Sequence, residues 1–163
     1  MRVIKLESVP DGYCIVHSPR STSTNHSRGG GLCLSHRDSI QVKQVRDISH
    51  SSFGCLLVKL VLSRSNSSDV ISFAVAYRPP TTPAASSVAA FYDELSGLFD
   101  KLADAIDGDR LVCCGDFNCG GDDATSVSSD MHAVFDAHGL QQFVQSPTRR
   151  THGCSSLLDL VIC

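Results

Sequence analysis

Two β-rich runs, CLLVKLVLS (Cys55–Ser63) and VISFAVAY (Val70–Tyr77), constrain this chain more than any other feature. Each is nearly free of charge and rich in branched residues, and only the polar, turn-forming RSNSSD separates them. Runs of that kind with a short polar connection predict a hairpin in the middle of a sheet. The second run ends in YRPP, where Pro79 and Pro80 cannot continue a hydrogen-bonded ladder and force Arg78 away from helix. Tyr77 is therefore expected at the C-terminal end of a strand, where a loop begins.

Shorter strands are predicted at YCIVH (Tyr13–His17), GLCLS (Gly31–Ser35) and SIQVKQV (Ser39–Val45), the last alternating as a half-exposed strand does. The segment SPRSTSTNHSRGGG, ending in Gly29, Gly30 and Gly31, reads as a turn into a strand. A phosphate cradle would need a following GK[ST] and a helix. Val88, Phe91, Leu95, Leu98, Leu102 and Ile106 recur at spacings of three and four and predict a helix closed by Gly108, with Asp93, Glu94, Lys101 and Asp104 on its outer face. RLVCC then predicts a short buried strand that ends at the turn GDFN. A helix from about Ser129 to His138 buries Met131, Val134 and Phe135 and stops at Gly139. QQFVQ and SLLDLVIC are two further strand candidates. The pattern predicts a mixed α/β sandwich.

Composition sets outer limits. With 163 residues, 42% apolar and 19% charged, the chain is one ordinary globular domain, and a net charge of −3 supplies no general attraction to nucleic acid or membrane. The eight cysteines form no CxxC pair and have no histidine at zinc-finger spacing, which argues against structural zinc. Cys14, Cys33, Cys55 and Cys113 lie in apolar runs and are expected as small buried hydrophobes. No secretory leader opens the chain, and no run approaches the ~20 apolar residues of a membrane span. These features predict a reduced, intracellular, soluble domain, nuclear or cytoplasmic.

Chemistry concentrates in LVCCGDFNCGGDD, where an apolar run stops at a glycine and a carboxylate and an amide follow two residues apart. Asp116 offers an anionic oxygen that can orient a water or face a cation, and Asn118 offers an amide N–H for a phosphate oxygen. Sites in α/β folds lie where strands end and loops converge. Asp and Asn also favour turns through bonds to their own backbone, and spacing alone leaves both readings open. Asp159 interrupts SLLDLVI, and a carboxylate in a buried strand implies a partner, orienting a histidine being one common role. Thr148, Arg149 and Arg150 follow Pro147 and read by themselves as a solvated turn. His132 and His138, on the short helix, read as surface residues, and no histidine is marked by a motif.

Four segments in order, RGGGLCLSHRDS, VAYRPP, CCGDFN and LQQFVQSPTRRTHGCSSLLDLVIC, resemble the endonuclease domain of non-LTR retrotransposons (LINE-like, of the jockey/CR1 type). That domain belongs to the endonuclease/exonuclease/phosphatase superfamily, and the resemblance runs from about Pro10 to Cys163. It implies a four-layer α/β sandwich of two mixed, mainly antiparallel sheets flanked by helices. It also implies magnesium-dependent hydrolysis of phosphodiester bonds, with DNA as the substrate and a reverse transcriptase domain in the parent element. By the same resemblance Tyr77 hydrogen-bonds the phosphate, Asp116 orients the attacking water and Asn118 helps hold both the phosphate and that aspartate. Asp159 pairs with the catalytic histidine, and Thr148 lies near the scissile phosphate. Arg78, Arg149 and Arg150 are expected phosphate contacts.

The chain departs from the pattern at both ends. The resemblance implies an asparagine and a metal-binding glutamate in two strands ahead of the start of this sequence, and Glu7 lacks the strand-end context for that role. It also implies a Ser-Asp-His motif some tens of residues after LDLVI. Residues 1–163 are thus expected to form a partial domain without its first strands and SDH segment, with no metal ligand assignable. Inactivity of the chain by itself follows as an expectation, either as a fragment of an endonuclease or as a degenerate remnant.

Overall fold

In a computed structural model, residues 9–19, 31–64, 67–80, 88–106, 110–151 and 153–163 are described. Glu7, Gly29, Gly30, Gly108 and His152 lie outside them. The elements are β1 (Tyr13–Ser18), β2 (Leu32–Arg37), β3 (Gln41–Ser49), β4 (Gly54–Arg64), β5 (Ser67–Tyr77), α1 (Val88–Ile106), β6 (Arg110–Asp116), α2 (Ser129–Ala137), β7 (Arg149–Thr151), β8 (Cys154–Ser156) and β9 (Asp159–Ile162).

The expected hairpin is the centre of the molecule. Strands β4 and β5 pair antiparallel over their whole length, from Gly54 opposite Tyr77 to Arg64 opposite Ser67. They sit inside a five-stranded sheet ordered β3-β4-β5-β6-β9. The two runs carry so few polar residues because both faces of the hairpin are covered. On one face Cys55, Leu57, Ala74 and Ala76 pack with Phe91, Leu95, Leu98 and Leu102 of α1 and with Met131 and Phe135 of α2. On the other, Leu56, Val58, Leu60, Phe73 and Val75 pack with Val16, Leu32 and Leu34 of the two-stranded β1–β2 sheet. Helices, large sheet and small sheet make three layers of an α/β sandwich among the described residues. Between β5 and β6 the chain crosses over through α1 and returns parallel, with Tyr77 beside Asp116.

Several local expectations change. QQFVQ is held to β9 only by a bridge at Gln142–Ile162 and the bonds of Gln141 and Phe143, too little pairing for a strand. The stretch read as a solvated turn at Arg149 and Arg150 is instead β7, paired antiparallel with β8. All eight cysteines are free. Cys55 and Cys113 are buried, and burial pushes the Cys55 thiol up to about 12, the state of an inert packing residue. Cys33, expected in the interior, is exposed, because one side of β2 faces away from the large sheet.

Helix α1 buries Phe91, Leu95, Leu98 and Leu102 of the expected inner face but leaves Val88 exposed, and its outer face is not simply solvated. Glu94 accepts four bonds from the Ser51–Ser52 turn: from Ser51 N at 3.1 Å and Ser52 N at 3.0 Å, and from each serine hydroxyl at 2.5 Å. That carboxylate staples the β3–β4 turn to the helix. His138 is likewise not a surface residue: its ring lies 5.4 Å from that of Phe99, and its Nε2 meets Ser96 Oγ at 3.0 Å.

Candidate active site

Register brings the candidate residues together. Asp116 of β6 pairs with Tyr77 of β5 on one side and with Asp159 of β9 on the other, so the three form one row across β5, β6 and β9. Residues in register share a face of the sheet. Here it is the face of Phe73 and Val75, turned away from α1 and toward the small-sheet side. The row stands at the C-terminal ends of the parallel pair β5 and β6, where α/β folds place sites.

The turn after β6 explains why the row exists. Gly115 has φ 148°, and a Cβ there would come within 1.8 Å of the Ala76 carbonyl oxygen. Only glycine lets β6 approach β5 this closely just before Asp116. Phe117 then turns into the helix-side core and donates its N–H to Leu158 O at 2.9 Å. Asn118 adopts φ 46°, a left-handed conformation that asparagine tolerates better than most residues. Its backbone N–H donates to Asp116 Oδ1 at 3.1 Å, and its Nδ2 donates to Arg78 O at 2.7 Å. GDFN is thus a turn, and in it the asparagine that makes the turn also orients the aspartate.

Burial raises the Asp116 carboxyl above the usual range. Its bond from the Asn118 backbone opposes that shift, the Asp159 charge adds to it, and the Asn118 side chain and Arg149 oppose it. A carboxylate raised in this way is a better proton acceptor. Asp159 itself is exposed at the start of β9, so the partner once required by burial is not required. The physical reason is that the small sheet covers the hairpin and leaves this part of β9 open.

Thr148 is set by the same strand. Its Oγ1 accepts from Leu158 N and Asp159 N, each at 3.0 Å, which leaves the hydroxyl proton to be donated elsewhere. Arg149 and Arg150 are both exposed, but neighbours on a strand point to opposite faces, and Arg149 is the one whose charge reaches Asp116.

Arg78 is placed differently from the expected phosphate contact. It is only 4% exposed and lies on the helix side, its guanidinium 4.6 Å over the Phe91 ring. Strand parity carried the signal: Ser72, Ala74 and Ala76 form the buried, helix-facing series, and Arg78 continues it. Sequence reasoning also passed over Cys119, whose Sγ lies 2.9 Å from Arg78 Nη1. Among the described residues no group of three or more His, Cys, Asp or Glu side chains is gathered into a metal cage.

The fold is an α/β sandwich of mixed sheets with helices, and it is shared with three solved structures. No protein-family model matches the chain, and no curated protein matches it in sequence. Each of the three matches over 93% of the chain. The human Nocturnin catalytic domain with bound sulfate anion is 17% identical with a TM-score of 0.64. The endonuclease domain of TRAS1, a telomere-specific non-LTR retrotransposon, is 13% identical with a TM-score of 0.57. D. rerio TDP2 complexed with single strand DNA product is 10% identical with a TM-score of 0.54. The chain spans 60%, 65% and 61% of those structures respectively. No helix among the described residues is long and apolar enough to cross a membrane.

Proposed function

We propose that residues 1–163 are part of a phosphodiester-cleaving domain that acts on DNA, of the non-LTR retrotransposon endonuclease type. The observation that carries this reading is the single row Tyr77–Asp116–Asp159 across three strands, with Thr148 and Arg149 at its rim. Each group has a defined task. Asp116, raised by burial and aimed by Asn118, accepts a proton from the attacking water. The Tyr77 hydroxyl and the remaining Thr148 proton donate to phosphate oxygens, where negative charge grows as the bond breaks. Arg149 adds a positive charge on the same side. Asp159 takes the role its resemblance implies, orienting a histidine.

Magnesium is implied by the resemblance, but no His, Cys, Asp and Glu cluster that could hold it is gathered among the described residues, so Asp116 and Asp159 keep the roles given above. A DNA substrate fits a nuclear or cytoplasmic site of action and a parent element that carries a reverse transcriptase.

The test is nicking of supercoiled plasmid with magnesium, beside an Asp116→Ala variant. Metal-dependent nicking reduced about 100-fold or more in the variant supports the reading. No nicking by a folded wild-type chain agrees with the inactivity expected of residues 1–163 by themselves, whether as part of an endonuclease or as a non-catalytic remnant. Hydrolysis of an inositol phosphate or phospholipid with none of DNA would move the activity to another phosphoester.

A further inference from the structure

Arg78 is a charge in a place where charge is costly. Its side chain is almost wholly buried, and its guanidinium stays protonated at any physiological pH. Its partners among the described residues are an aromatic face, a carbonyl and a thiol: the Phe91 ring, Asn118 O at 3.0 Å and Cys119 Sγ at 2.9 Å, the last two both from Nη1. Both of those acceptors belong to the segment that follows Asp116.

The bonding also runs the other way. Asn118 Nδ2 donates to the Arg78 carbonyl oxygen at 2.7 Å, and Arg78 N donates to Asp116 O at 2.9 Å. Arg78 therefore grips Asn118 at both its backbone oxygen and its side-chain nitrogen. Asn118 is the residue at φ 46° whose N–H holds Asp116 Oδ1. A left-handed backbone outside glycine persists only where its surroundings over-determine it, and Arg78 supplies that determination.

We propose that Arg78 is a positioning residue: by clamping Asn118 from both ends it fixes the direction of the Asp116 carboxylate, and it makes no contact with DNA. This deepens the endonuclease reading and rests on the site described above, although the clamp itself can be tested without cleavage. Lysine is a poor substitute, because a single ammonium cannot lie flat over Phe91 while reaching both Asn118 O and Cys119 Sγ.

The test compares Arg78→Met, Arg78→Lys and a packing control in the same core, Leu102→Val, each ¹⁵N-labelled and studied well below its melting temperature. Exchange of the Asn118 amide protons with water is expected to quicken about tenfold or more in Arg78→Met. It should quicken less in Arg78→Lys and stay near wild type in Leu102→Val. The dependence of DNA affinity on salt should be the same in the Arg78 variants as in wild type, and where nicking is measurable kcat should fall with KM unchanged. Wild-type exchange at Asn118 in both Arg78 variants would reduce the residue to packing. A salt slope lowered by about one phosphate would make it a direct DNA contact. Should Arg78→Met not fold, Arg78→Lys, which keeps the charge and the stem, carries the same comparison. Should wild type neither bind nor cut DNA, the endonuclease reading fails while Asn118 exchange still decides the clamp.

Discussion

Asp116 and Asp159 stand directly opposite each other across the β6–β9 pair. Like charges opposed in a sheet repel, and natural sheets avoid them without a compensating reason. The repulsion is registered in Asp116, whose carboxyl is raised first by burial and then by the Asp159 charge. Replacing Asp159 with asparagine should therefore lower the Asp116 midpoint, as followed by carbon NMR of its carboxyl. The sign for stability follows. A carboxyl with a raised folded-state pKa disfavours the fold when ionised, so its penalty is present at neutral pH and lifts as pH falls through that pKa. Asp159→Asn should accordingly melt higher than wild type at pH 7, with the gap narrowing toward acid. An unchanged Asp116 midpoint would mean that the two groups do not interact.

Glu94 should mark the acid limit of the β3–β4 turn. The four bonds from Ser51 and Ser52 hold its carboxyl at about 2, against an ordinary value of 4.5. A depressed carboxyl stabilises the fold above its unfolded pKa and loses that contribution as pH falls through the folded one. Glu94→Gln should cost about 1 kcal/mol at pH 7, a value kept small by solvent screening, and should lower the melting temperature by about 2–4 °C. The difference from wild type should shrink between pH 4.5 and 2. A pH-independent gap would assign the loss to packing.

Gly115 should tolerate no side chain. The Cβ of an alanine would meet the Ala76 carbonyl oxygen at 1.8 Å, and the backbone at φ 148° is itself unfavourable for such a residue. Gly115→Ala should cost about 3 kcal/mol or more, read as a large fall in the denaturation midpoint. A near-neutral effect would show that β5 and β6 can move apart without loss.

Thr148 separates into an acceptor and a donor. Thr148→Val removes the oxygen that receives Leu158 N and Asp159 N and should cost about 1–2 kcal/mol. Thr148→Ser keeps both roles and should remain close to wild type in stability and in any nicking. Equal losses in the two variants would assign the residue to packing by its methyl group.

Of the two adjacent arginines, Arg149 should matter more for DNA. Arg149→Ala should lower the salt slope of DNA binding by about one, and Arg150→Ala should change it less, because the two side chains leave β7 on opposite faces. The reverse order would place the substrate on the other side of the β7–β8 hairpin.

Much of the fold was legible in local patterns. The paired runs Cys55–Ser63 and Val70–Tyr77 became β4 and β5, and the three-and-four spacing from Val88 to Ile106 became α1. The position of Tyr77, Asp116 and Asn118 at strand exits followed from Pro79, Pro80 and the glycine at 115. Such features are local: a two-residue or 3.6-residue period and a backbone breaker act within a few residues of themselves. The β7–β8 hairpin escaped notice because its strands are three residues long and polar, too short for a period to show.

What the sequence by itself determined was which residues end strands and which face of each strand is apolar. Only the tertiary structure decided that Tyr77, Asp116 and Asp159 share one row, that Asp159 is open to solvent, and that Arg78 turns inward while Glu94 staples a distant turn. The reason is physical. Register is fixed by the partner strand, and burial by the layers above and below, so neither is a property of the residue's own neighbourhood. An arginine after a strand and a glutamate on a helix surface look alike wherever they occur, until the packing of other elements determines what they touch.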